Sequence, residues 1–123
     1  MQLFFYASSD NDHKKRLEAA IHGVIPEQCV EFFETLDDFR ERLHSMIEPK
    51  SVAVLYAINR EELLRMQMLR ELLPEIYVIL VLPDRTERTI GLAHLLLPRF
   101  LAQKEDPFTD LQEVLYKMVR NPH

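Results

Sequence analysis

Two uninterrupted apolar runs, SVAVLYAI at 51–58 and IYVILVL at 76–82, stand one helix length apart in the sequence. Each is short for a buried helix and too continuously apolar for a strand with one wet face. A run of this kind is stable as a parallel strand covered by helices on both of its faces. Two parallel strands need a crossover between them, and the intervening segment 60–73 carries Leu63, Leu64, Met66, Leu69, Leu72 and Leu73 before Pro74 closes it. That reads as the crossover helix. The chain is therefore expected to alternate strand and helix around a parallel sheet.

The flanking sequence continues the alternation. Leu3, Phe4, Phe5 and Tyr6 form an apolar, aromatic run expected to be a first buried strand. Ser9 or Asp10 is positioned to cap a helix, with a short side-chain oxygen accepting from a free N–H of the first turn. Leu17, Ala20, Ile21, Val24 and Ile25 give that helix an inner face, and Gly23 and Pro26 mark its end. Residues 29–34 read as a second strand. Thr35 and Asp38 have capping spacing, and Phe39, Leu43, Met46 and Ile47 then recur at helical intervals up to Pro49. After the 76–82 strand, Pro83 and Asp84 make a turn. A helix is expected over 86–97 and a short strand over 99–103. Asp106 and Pro107 are expected to open a last helix whose inner stripe is Phe108, Leu111, Val114, Leu115, Met118 and Val119.

Five strands alternating with five helices in 123 residues predict a single α/β domain spanning 1–123. The natural arrangement is a flavodoxin-like three-layer sandwich with a parallel sheet in the order 2-1-3-4-5. Ligand sites in such sheets lie at the C-terminal ends of the strands, here near residues 7–10 and 56–60.

Composition and motifs exclude several chemistries. The formal net charge is −5, and the densest cationic cluster, Lys14, Lys15 and Arg16, is flanked by Asp10, Asp12 and Glu18. Nucleic-acid binding needs a basic footprint, so no nucleic-acid partner is expected. No apolar run approaches the roughly 18 residues that cross a bilayer, and the N-terminus lacks a basic, cleavable leader pattern. No membrane partner and a cytoplasmic location are expected, and the short tail 121–123 suggests that no output domain follows. The single cysteine, Cys29, has no second thiol to pair with. The histidines, His13, His22, His44, His94 and His123, show no HxxxH or HExxH spacing. Glycine-rich phosphate loops and nucleophile elbows are missing as well. No catalytic residue, metal site or cofactor is expected, and the chain is not read as an enzyme.

The order and lengths of the elements resemble those of response-regulator receiver domains, the CheY-like modules of bacterial two-component signal transduction. In that family the first strand ends in an acidic pair that holds Mg²⁺ and the third in the Asp that accepts phosphate. The fourth ends in Ser or Thr, and the fifth in a Lys followed by Pro. Laid onto this chain, the acidic pair falls on Ala7 and Ser8 or on Ser8 and Ser9, with Asp10 next. The acceptor position falls on Tyr56, the hydroxyl position on Val81 or Leu82, and the lysine on Lys104, which precedes Glu105. A one-residue shift would put Gln103 at the lysine position instead. A phenol with a pKa of about 10 is a poor nucleophile at neutral pH, and one carboxylate is a poor Mg²⁺ site. The resemblance thus implies a pseudo-receiver without a phospho-acceptor, or another domain of the same fold.

With phosphorylation chemistry missing, a non-catalytic signalling module acting through protein–protein contacts is the expected function. A small-molecule or nucleotide sensor using the strand-end crevice is the alternative. The partner is expected to be another protein or a second copy of the chain. The surface formed by the fourth helix, fifth strand and fifth helix is the expected contact, as the resemblance implies. Ile90, Leu92, Leu95 and Leu96 are its apolar candidates and Arg99 lies at its rim. Leu92, Leu95 and Leu96 are expected to share one side of the helix. Lys104 is expected to reach Asp10 across the strand ends.

Overall fold

The computed structural model describes residues 2–120. Its elements are β1 (Leu3–Ala7), α1 (Asp12–His22), β2 (Val30–Phe33), α2 (Leu36–Leu43), β3 (Val52–Tyr56), α3 (Arg60–Arg65), β4 (Tyr77–Leu82), α4 (Glu87–His94), β5 (Phe100–Gln103) and α5 (Thr109–Arg120). All strand pairings are parallel, and the sheet order is β2-β1-β3-β4-β5. This is the flavodoxin-like α/β arrangement that the alternating sequence predicts.

Side chains alternate across a strand, and this alternation divides the core into two layers. Leu3, Phe5, Val52, Val54, Ile79 and Val81 face one way and pack against Leu17 and Ile21 of α1 and Leu111 and Leu115 of α5. Phe4, Tyr6, Ala53, Leu55, Val78 and Leu80 face the other way, against Phe39 of α2, Leu63 of α3 and Ala93 of α4. Every residue of β1 and β3 is buried, as both-face coverage requires.

The starts of α1, α2, α3 and α4 carry side-chain caps. Asn11, rather than Ser9 or Asp10, caps α1, its oxygen accepting from the Lys14 amide at 2.9 Å. Thr35 caps α2 by accepting from the Asp38 amide at 3.1 Å, as its spacing suggests. Asn59 and Thr86 do the same for α3 and α4. At the end of α1, a Cβ on Gly23 would lie 2.9 Å from Gln112 Nε2. Glycine therefore lets α5 lay Gln112 over the α1 terminus, where Nε2 donates to the Ala20 carbonyl at 3.0 Å.

Four local expectations are corrected. The helix expected over 60–73 is α-helical only through Arg65 and continues as a 3-10 segment, Met66–Leu72. Leu63, Met66 and Leu69 are all fully buried. Their three-residue spacing is the period at which 3-10 side chains eclipse. The helix α2 stops at Leu43, where the Ser45 amide turns back to the Arg42 carbonyl, so Met46 leaves the stripe and is 94% exposed. The helix α4 ends at His94 instead of Leu97, and Leu97 takes a left-handed φ of 52°. Asp106 does not open α5; its Oδ2 accepts from the Gln103 amide, and Phe108, with φ 62°, precedes the first helical residue.

Leu55 and Ile79 lie at the centre of opposite layers and are fully buried. Leu55→Ala or Ile79→Ala should each lower stability by about 2–5 kcal/mol, since truncation loses transfer energy and leaves a cavity. Urea unfolding midpoints check this; two unchanged midpoints would contradict the central placement of β3 and β4.

Candidate functional site

The pairing register aligns the C-terminal ends of the central strands. Ala7 lies opposite Tyr56, and Tyr56 lies opposite Val81. The positions singled out by sequence on three strands thus form one row across the sheet. None of the three carries a carboxylate. Tyr56 is 2% exposed and packs in the α1/α5 layer, with its hydroxyl 3.5 Å from Asn11 Nδ2. Val81 is fully buried. Ser9 accepts from Asn11 Nδ2 at 3.4 Å, and Asp10 is exposed.

Lys104 belongs to the turn after β5. Its amide donates to the Leu82 carbonyl at 3.0 Å, and its carbonyl lies 3.1 Å from His13 Nδ1. The ion pairs among the described residues do not include Asp10 with Lys104. The expected bridge is therefore not formed.

The carboxylate that does occupy the strand ends is Glu62, which the sequence reading missed. It is 1% exposed. Oε2 accepts from the Ser8 hydroxyl at 2.7 Å and from the Tyr6 hydroxyl at 3.1 Å, while Oε1 accepts from the Ile58 amide at 3.3 Å. Arg65, mostly exposed, places a guanidinium nitrogen 3.8 Å from Oε2. A buried carboxylate is costly unless hydrogen bonds replace its water. Here three donors do so: Tyr6 of β1, Ser8 just beyond it and Ile58 of the β3–α3 loop. The signal was present in the sequence: Asn59 followed three residues later by Glu62 is the capping-box spacing. The Asn half behaves as expected and accepts from the Glu62 amide at 2.8 Å. The Glu half reaches past the cap to Ile58 and on to β1.

Burial, followed by the negative charge of Glu62, pushes the Tyr6 phenol up to about 12. Tyr6 thus remains a donor to Glu62 throughout the neutral range. Tyr6, one residue before the end of β1, and Tyr56, at the end of β3, face opposite layers, and of the two Tyr6 reaches the carboxylate.

A second polar cluster lies after β4. Arg60 reaches from α3 towards the hydroxyls of Thr89 and Thr86, both at 3.4 Å. Thr86 donates to Asp84 through its hydroxyl at 2.8 Å and its amide at 3.0 Å. Hydrogen bonding by Thr89 and then Thr86 holds the Asp84 carboxyl below its usual value. These bonds lock the start of α4 and tie it to α3.

The expected contact surface divides into core and exterior. Leu96 is 3% exposed and belongs to the core, whereas Leu95 is 49% exposed. Both lie beyond the end of α4, where Leu95 turns outward and Leu96 inward, so they do not share a face. Ile90 and Leu92 are half-buried against the core. The strongest exposed apolar residue of this region is Leu97, at 82%, beyond the helix end. Arg99 stacks over the Tyr77 ring with its guanidinium carbon 4.3 Å from the centroid.

Among the described residues no group of three or more His, Cys, Asp and Glu side chains is arranged to hold a metal ion. His13 meets Lys104 as above, and His22 lies against Glu18 and the Phe32 ring. His123 lies outside the described residues. Cys29 is half-buried beside β2. No helix among the described residues is long and apolar enough to cross a membrane. No family model matches the chain, and no curated protein matches its sequence.

The Tyr6–Glu62 contact has a measurable alkaline signature. The phenol is raised in the fold above its unfolded value of about 10, so its contribution to stability is complete below pH 10. It is lost as pH rises through about 12. Tyrosinate absorbance at 295 nm should show one of the four tyrosines titrating near pH 12, and Tyr6→Phe should remove that step. The substitution should also cost about 1.5–3 kcal/mol, the range for a hydrogen bond to a charged group. Retention of the late step in Tyr6→Phe would contradict the assignment.

Proposed function

We propose that this domain is a receiver-like signalling module that works by protein docking and independently of phosphorylation. The observation that carries this reading is the aligned row Ala7, Tyr56 and Val81, which has no nucleophilic carboxylate. The nearby carboxylate, Glu62, is buried and already engaged by Ser8, Tyr6 and Ile58. A group so engaged is a poor phosphate acceptor, because its lone pairs are directed at internal donors.

The docking face in this reading is the α4–β5–α5 side, narrowed to Leu95, Leu97 and Arg99. Leu97 supplies the physical argument. A left-handed backbone costs an L-residue roughly 1–2 kcal/mol, and glycine is the usual occupant of such a helix end. A leucine there that is 82% exposed gains little from its own fold. Contact with a partner or a second copy gives that side chain a use. Tyr116 and Val119 of α5 are also exposed apolar residues.

One observation favours the sensor reading. A cavity of about 320 Å³ opens at the ends of β4 and β5, lined by Asp84, Arg85, Gln103 and Lys104. A ligand there would stabilise the fold by mass action, so a thermal-shift screen separates the two readings.

Sedimentation velocity and pull-down from native extract test the leading one. The wild type should associate with itself or capture a partner equally well with and without acetyl phosphate and Mg²⁺. Leu97→Glu should abolish that association. At an exposed position it should shift stability by no more than about 0.5 kcal/mol. Association that requires the phosphodonor, or that is indifferent to Leu97→Glu, would contradict the proposal.

A further inference from the structure

The opposite end of the sheet carries a separate concavity. It has a volume of about 290 Å³ and lies between the segment leading into β3 and the segment leading into β4. Ile47, Pro49, Leu72, Pro74 and Ile76 supply its apolar lining. Glu48, Glu71 and Glu75 line it too, all three are exposed, and no cationic residue is part of the wall. Among the described residues, none of these carboxylates has a Lys, Arg or His nitrogen within 4.0 Å.

Both walls are held in place by the fold. The Glu48 carbonyl accepts from the Ser51 hydroxyl at 2.7 Å and from its amide at 3.3 Å, and Ser51 itself is buried. On the other wall the Ile76 amide donates to the Leu73 carbonyl at 2.9 Å. The cavity is thus formed in advance of any occupant, which lowers the ordering cost of binding. Met46, next to the wall residue Ile47, adds an exposed, unbranched apolar side chain of the kind that adapts to varied partners.

The two features select one chemistry. The apolar lining takes an apolar side chain, and three glutamates without internal counter-charges favour cations beside it. An acidic segment would be repelled, and a neutral one would use only the lining. We propose that this concavity docks a short segment of a partner protein in which an apolar residue is flanked by lysine or arginine. The site is at the far end of the strands from the Tyr56 row and is independent of the α4–β5–α5 face.

An array of heptapeptides tests it, with Leu, Ile, Val, Met or Phe at the centre and flanks drawn from Lys, Arg, Ser and Glu. The labelled wild-type domain should be captured by members with cationic flanks. The double variant Glu71→Gln, Glu75→Gln should lose about three- to tenfold of that signal, as expected for two exposed charge pairs. Glu34→Gln, an exposed control at the end of β2, and Leu97→Glu should leave it unchanged. Melting curves establish that each variant is folded. Absence of preference for cationic flanks, or equal capture of the wild type and the double variant, would overturn the proposal.

Discussion

β1, β3 and β4 present no open face to water, and that constraint propagates through the whole domain. Two-sided burial demands helices on both sides, and helices on both sides demand parallel crossovers. The alternation of side chains then sorts each strand residue into one of two layers. Leu55 and Val54, adjacent in sequence, take part in different cores. A polar or charged residue in the middle of these strands would have no route to solvent. Polar chemistry is accordingly confined to the strand ends and to the loops beyond them.

The strand ends meet this restriction in an inward-facing way. Glu62 brings a carboxylate into the α2–α4 layer, and donors from β1, from Ser8 just beyond it and from the β3–α3 loop replace its hydration. The same bonds tie the end of β1 to the stretch from Ile58 to Glu62. On the other side of the sheet Tyr56 fills its position with a buried ring whose hydroxyl lies near the α1 cap. At the ends of β1 and β3 the fold's own side chains, Glu62 on one face and Tyr56 on the other, thereby fill the sheet's edge. Polar groups at this end hold the domain together, and the proposed docking falls to surfaces elsewhere on the molecule.

The fold was legible because its signals are redundant. The runs at 51–58 and 76–82 specify buried strands, a proline lies a few residues beyond several helices, and Thr35 caps where its spacing says it should. Legibility failed where two local rules competed. The 60–73 segment satisfies both a helical stripe and a three-residue repeat, and the repeat prevailed beyond Arg65. Met46 fits the α2 stripe by spacing, but the chain has already turned back at Ser45. Asn11 out-competed Ser9 and Asp10 as a cap, a choice that depends on where β1 ends. Glu62 was hidden because its sequence context is that of an ordinary first-turn glutamate. Its burial arises from Tyr6 and Ser8, more than fifty residues away in the chain.

The proposed function requires that the strand-end row offer no site to a phosphoryl group. The most direct measurement is an amide ¹H–¹⁵N spectrum of the domain recorded with and without Mg²⁺ and beryllofluoride. The resonances of Ser8, Tyr56, Ile58 and Lys104 should stay where they are. Saturable shifts centred on those residues would contradict the proposal.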